Sequence, residues 1–228
     1  MTPSGGSLHF WVVAGMVSGA ARFLPVPFVD DIVRDQCRRL VVSRTLAAHG
    51  TNIQTKDLKS YYASDGGCLV GCVGLAAKVP LKLLLFPIRK VVAIVTSVRG
   101  VPLEIVRMVL LGRTLDRYLR EKRLQTGEIP SVAMREAFDD SFSRMDFRMV
   151  RAAMNDALAS VGGWKTAAMD FARKAANGRD TESEDWKTSA EVNDGARRIE
   201  AILERPEMLT LFADFDQRFD AAMRERSG

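Results

Sequence analysis

The first 21 residues contain no lysine, arginine, aspartate or glutamate, and the stretch Phe10–Phe23 is rich in small residues. Gly15 and Gly19 form a G-x-x-x-G pair, with Ala14 and Ser18 alongside. On a helix these residues share one side and make a flat face that a second helix can approach closely. In lipid such a face marks dimerisation. In this chain it predicts tight packing inside a helical protein. A spanning helix is not expected, because nowhere do 18 uncharged apolar residues run together. A secretory leader is not expected either, because no basic residue precedes Leu8–Ala21.

Composition supports the same fold class. Hydrophobic residues make up 47% of 228, enough for a sizeable core, while aromatics are only 7%. Alanine, leucine, arginine and methionine are common, which suits helices better than sheets. The chain is therefore predicted to be all-α, a multi-helix bundle with short proline-broken helices in its middle. Three cysteines, Cys37, Cys68 and Cys72, make a poor disulfide framework and point to a reducing, cytoplasmic compartment.

Charge is unevenly placed. Residues 1–64 carry 7 basic and 4 acidic groups, residues 65–126 carry 11 and 4, and residues 127–228 carry 15 and 20. Two regions follow: a basic apolar helical region over 1–126, and an acidic helical region over 127–228 packed on it, within one domain or as two. The basic apolar middle suggests an anionic lipid surface or an acidic partner.

At "RFLPVPFVDDIVRD", Arg22–Asp35, the chain turns a corner. Val26 precedes a proline and is pushed out of the helical region. Pro27 fits the first position of a new helix, where a missing N–H costs nothing. Asp30 and Asp31 then meet the positive end of the helix dipole. Val29, Ile32, Val33, Cys37 and Leu40 form the apolar face, and Asp31, Arg34, Asp35 and Arg38 the opposite one. Asp30–Arg34 and Asp35–Arg39 are i,i+4 pairs in the favourable order. Gly50 is placed as the left-handed cap that ends this helix after His49. "TNIQTKDLKSYY" reads as a turn and a short helix.

Residues 68–126 are divided by Pro80, Pro87 and Pro102, each able to open a short helix. Gly100 reads as a stop and Pro102 as a start. Leu103–Leu111 is apolar on nearly every side, interrupted by Glu104 and Arg107, so it is buried or dips into lipid. "VVAIVTSV", 91–98, is β-branched and fits helix or strand; helix is favoured because no other strand candidate offers it a partner. Further on, Val150, Met154, Ala157, Leu158 and Val161 form one stripe, and Trp164, Ala168, Phe171 and Ala175 the next. Asn177–Asp194 lacks an apolar period and reads as a surface loop pinned by Trp186. Met208, Phe212, Phe215, Phe219 and Ala222 mark a last amphipathic helix after Pro206.

No catalytic, cofactor or metal-binding constellation is recognisable. His9 and His49 are the only histidines, and neither has a carboxylate or cysteine near it in sequence. Cys68 and Cys72 share a helix face but lack a second pair to complete a zinc site. Gly66, Gly67, Gly71 and Gly74 match neither a phosphate-binding loop nor a dinucleotide fingerprint. What stands out is a set of cations spread through the apolar middle: Lys78, Lys82, Arg89, Lys90, Arg99 and Arg107. Such side chains can snorkel to anionic headgroups, and they are the candidate membrane or partner contacts. Nucleic acid is a poor candidate, because aromatics do not interleave with the basic residues.

Pro25, Pro27 and Asp30 form a Pro-x-Pro-x-x-Asp corner after an apolar helix, followed by a long helix ending at His49-Gly50. Over residues 20–62 this resembles the bacterial YcjF-like helical domain, which often accompanies a small GTPase domain. The resemblance implies membrane association and a protein partner such as a small GTPase, not an activity. No GTPase signature is present. A non-enzymatic protein resting on a membrane, or scaffolding a membrane-linked assembly, is the expected function. The alternative is an enzyme or small-molecule binder with its site inside the bundle.

Overall fold

The computed structural model describes residues 5–25, 29–63, 100–124, 129–176 and 188–227. They form nine α-helices, two 3-10 helices and no strand, so the protein is an all-α multi-helix bundle. In chain order the helices are α1 (Gly5–Ala20), α2 (Val29–His49), α3 (Lys59–Tyr62), α4 (Val101–Arg120), α5 (Ser131–Ser143), α6 (Arg148–Ala159), α7 (Trp164–Ala176), α8 (Ala190–Leu203) and α9 (Pro206–Ser227). The 3-10 turns are Ala21–Phe23 and Thr55–Leu58.

Helix α1 is the axis of the bundle. Every residue from Trp11 to Ala21 is buried, as expected of a helix apolar on all sides. Its main partner is α4, itself buried along most of its length. The small-residue face makes the close crossing. A Cβ added to Gly15 would lie 2.5 Å from the Ile105 Cα, and one on Gly19 would lie 2.9 Å from Val101 Cγ1. Further along, the Trp11 ring lies flat over Gly112, 2.4 Å from where a Cβ would stand. The order of these pairs (19 with 101, 15 with 105, 11 with 112) makes α1 and α4 antiparallel. Helices α2, α7 and α8 close around α1, while α5 packs on α3 and α9.

Several elements follow the sequence pattern. Asp30 and Asp31 lie in the first turn of α2, and Gly50 takes the left-handed φ of 55° beyond its end. Helix α4 begins after Gly100 with Pro102 in its first turn and runs unbroken past Gly112. In α9, Met208, Phe212, Phe215, Phe219 and Ala222 are all buried. Phe215 meets Phe138 edge-on at 5.4 Å, and Phe219 meets Tyr118 likewise at 5.4 Å.

Other elements differ. Ala190–Asp194, expected to be loop, is the start of α8, capped by Ser189, whose Oγ accepts from the Val192 N–H. Its apolar stripe is Val192, Ala196, Ile199 and Leu203, masked in sequence by intervening charges. On α2, Ile32 is 47% exposed, whereas Arg38 is only 6% exposed. Arg38 stands in one column with Val42 and Leu46, so burial of that column carries the arginine inward. Pro27, residues 91–98, Cys68, Cys72, Trp186 and the glycines at 66–74 lie outside the described residues.

Candidate functional site

Glu104 explains why Arg38 is buried. It lies on the first turn of α4, 4% exposed. Ser18 Oγ donates to its Oε1 at 3.0 Å, and Arg22 Nη2 to its Oε2 at 3.4 Å. Arg34 Nε stands 3.7 Å from Oε1. One carboxylate thus gathers polar groups from α1, the following 3-10 turn and α2. Arg34 also donates to Asp31 at 2.9 Å; the pair at the start of α2 is Asp31–Arg34, in place of the expected Asp30–Arg34, because Arg34 leans toward Glu104. Burial lowers the Arg38 pKa to about 10, with the Glu104 charge opposing the fall. Burial alone would raise the Glu104 carboxyl, but Arg38, Arg34, Arg22 and Arg107 hold it below the usual range. The Cys37 thiol, buried beside this cluster, is pushed far up, so it is an inert core group rather than a nucleophile.

Arg107 is the one sequence-predicted contact residue in the described chain; Lys78, Lys82, Arg89, Lys90 and Arg99 lie outside it. Its Nη1 donates to Asp139 Oδ1 at 3.2 Å, and its guanidinium sits 4.3 Å from the centroid of the Phe142 ring. Asp139 is held in turn by Arg135, whose Nη1 also donates to the Ala63 carbonyl at 3.2 Å. Arg107 therefore helps join α4 to α5, and through Arg135 to the end of α3.

The same pattern runs down α4. Arg113 donates to Asp216 at 2.7 Å, and Arg117 forks onto Asp220 at 2.7 and 2.8 Å. Tyr118 and Arg123 also donate to Asp220. Two arginines a turn apart on α4 thus meet two aspartates a turn apart on α9. Much of the charge asymmetry between the middle and the end of the chain is consumed inside the fold.

Sequence inspection missed the histidine partners, which come from distant helices. His9 Nδ1 is 2.5 Å from Glu200 Oε1, and its Nε2 is 3.1 Å from Asn193 Oδ1. His9 and Asn193 border a cleft of about 450 Å³ between α1, α2 and α8. His49 Nε2 is 2.9 Å from Asp116 Oδ1, and the other Asp116 oxygen accepts from Arg120. His49 and Arg120 line a larger cleft of about 770 Å³. Burial, then the Arg120 charge, hold the His49 imidazole below its ordinary pKa. The only advance signal was Glu104 itself, a single acid in an apolar helix, which must find a buried partner.

These two downward shifts predict the acid response. The unfolded chain takes up protons at His49 and Glu104 before the folded protein does, so stability falls with pH. It should be full above about pH 6.5, decline below that as unfolded His49 charges, and fall further below about pH 4.5 as Glu104 protonates. Urea midpoints at pH 7.5, 5.5 and 4 measure this. Glu104→Gln should flatten only the lower part, and an unchanged midpoint between pH 7.5 and 5.5 would contradict the His49 contribution.

No group of three or more potential metal ligands occurs among the described residues, and no described helix is long and apolar enough to cross a membrane. No family model, curated protein or solved structure matches the chain.

Proposed function

We propose that the protein attaches peripherally to an anionic membrane surface through residues 64–99, with the helical bundle as the body that holds them. The observation that carries this is how the two flanks are fixed. Gly100 caps α4, whose first residue, Val101, is locked against Gly19. Ala63 is tied to Arg135, and through Asp139 to Arg107 on the second turn of α4. Both flanking residues, Ala63 and Gly100, are therefore anchored to the described helices. Between them the sequence has one acid, Asp65, against Lys78, Lys82, Arg89, Lys90 and Arg99, in an otherwise largely apolar run. Arg107, Arg113, Arg117 and Arg123 are instead ion-paired with Asp139, Asp216 and Asp220, so we assign lipid contact to the cations of that segment.

Each Lys or Arg near an anionic surface contributes about 1 kcal/mol, a contribution that salt weakens. Replacing Lys78, Lys82, Arg89 and Lys90 with glutamine should therefore weaken binding to anionic liposomes roughly a hundredfold or more. Binding to neutral liposomes should change little. Co-sedimentation at two salt concentrations measures both. Wild-type protein that stays in the supernatant with anionic liposomes at low salt would end the proposal.

A further inference from the structure

The cleft of about 770 Å³ lies where α2 and α4 both end. Joining those ends accounts for the His49–Asp116 hydrogen bond. It does not account for Lys122. Among the described residues Lys122 is the one non-glycine residue with positive φ, at 58°. It occupies the left-handed position that closes α4. Its N–H donates to the Leu119 carbonyl at 3.1 Å, and the Arg123 N–H donates to the Tyr118 carbonyl at 3.0 Å. Glycine adopts this conformation without strain, whereas a side chain crowds the backbone. A lysine is held there nonetheless, lining the cleft and forming no ion pair among the described residues. Backbone strain retained beside an open cleft points to a use for the side chain.

The rest of the cleft suggests what that use is. Ile53, Leu124 and Ile129 line its apolar part. Arg120 adds a second cation beside Lys122, partly neutralised by Asp116. His49 uses Nε2 toward Asp116, which leaves Nδ1 as the ring's remaining polar atom. Among the described residues, Asp116 and Arg120 on α4 act on the ring directly, and Lys122 just beyond α4 and Asp57 on the 3-10 turn are the other charged groups lining the cleft. Asp57 accepts from the Gln54 N–H at 3.0 Å through one oxygen and keeps its negative charge.

We propose that this cleft binds a phosphate monoester with a short apolar substituent, its head on Lys122 and His49 and its substituent on Ile53, Leu124 and Ile129. A phosphate monoester suits it better than a carboxylate. Its second ionisation near 6 lies close to that of imidazole, so a phosphate oxygen and His49 Nδ1 can share one proton at little cost. The site contains no residue of 64–99, so it stands or falls separately from membrane attachment.

The chain has two histidines, so NMR of the imidazole carbons reports on the site directly, with His9 as an internal control. Hexyl phosphate below its micelle concentration should shift the His49 resonance, raise its titration midpoint and leave His9 unmoved. Inorganic phosphate, lacking the substituent, should act the same way but more weakly. Lys122→Gln should weaken hexyl phosphate binding at least tenfold. Lys122→Gly should weaken it equally while raising the melting midpoint by roughly 2–4 °C, because glycine relieves the strained conformation. A His49 response to phosphatidic acid vesicles but not to hexyl phosphate would assign the same head-group chemistry to a lipid. No His49 response to any of these phosphates would overturn the proposal. So would unchanged binding by Lys122→Gln, or a lowered melting midpoint for Lys122→Gly.

Discussion

Glu104→Ala lowers the unfolding free energy by about 3–5 kcal/mol, the cost of removing one partner from a buried ionic cluster. The substitution does more than delete a side chain. It leaves Arg38, almost fully buried, near Arg34 and Arg107 without the Glu104 charge that offsets their repulsion. It also removes the acceptor of the Ser18 hydroxyl on α1. Glu104→Gln keeps the volume and an acceptor for Ser18 but not the charge, so its loss should approach that of alanine. For a protein of this size the melting midpoint should drop by roughly 10 °C. Arg22→Ala is the control, because Arg22 is half-exposed and only one of several cations on the carboxylate. It should cost about 1 kcal/mol or less. If Glu104→Ala and Arg22→Ala unfold alike in urea, the carboxylate is not the centre of the cluster.

Gly15→Ala is expected to cost about 2–3 kcal/mol, although alanine is the better helix former by about 1 kcal/mol. The new methyl would meet the Ile105 Cα at 2.5 Å. That obstacle is backbone, which no rotamer change can move aside. Relief requires separating α1 from α4, and with them the centre of the core. Gly162→Ala is the comparison, since a Cβ there meets nothing within 4 Å; it should stay within about 0.5 kcal/mol of wild type. Equal urea midpoints for the two variants would show that the α1–α4 crossing has room for a methyl group.

The histidine sites illustrate how little of a site can be read along a chain. His9 and His49 each have a carboxylate partner, 191 and 67 residues away respectively. No local spacing rule connects such pairs, because the helices that carry them meet only after the bundle has formed. Asp116 reads as one charge in an exposed-looking run, "RTLDRYLREKR", yet it stands between His49 and Arg120. Lys122 reads as an ordinary lysine, and only its backbone conformation sets it apart.

Much of the helical architecture was set by the sequence alone. Periodicity and punctuation are local, so the C-terminal cap of α2, the start of α4, the small-residue face of α1 and the stripe of α9 follow from a few neighbouring residues each. The direction in which a mixed face turns is a different matter. Arg38 looked solvent-facing and Ile32 core-facing because side-chain type was the only guide. Among the described residues the bundle reverses them, since α4 supplies a buried carboxylate to the Arg38 side while Ile32 is left 47% exposed. Long-range charge pairing likewise belongs to the tertiary structure. The basic middle and acidic end are visible as totals, but only the placement of α9 along α4 brings Arg113 and Arg117 onto Asp216 and Asp220. Hydrophobic period is written in spacing along the chain, whereas the partner of a buried charge is chosen by which helices come to lie side by side.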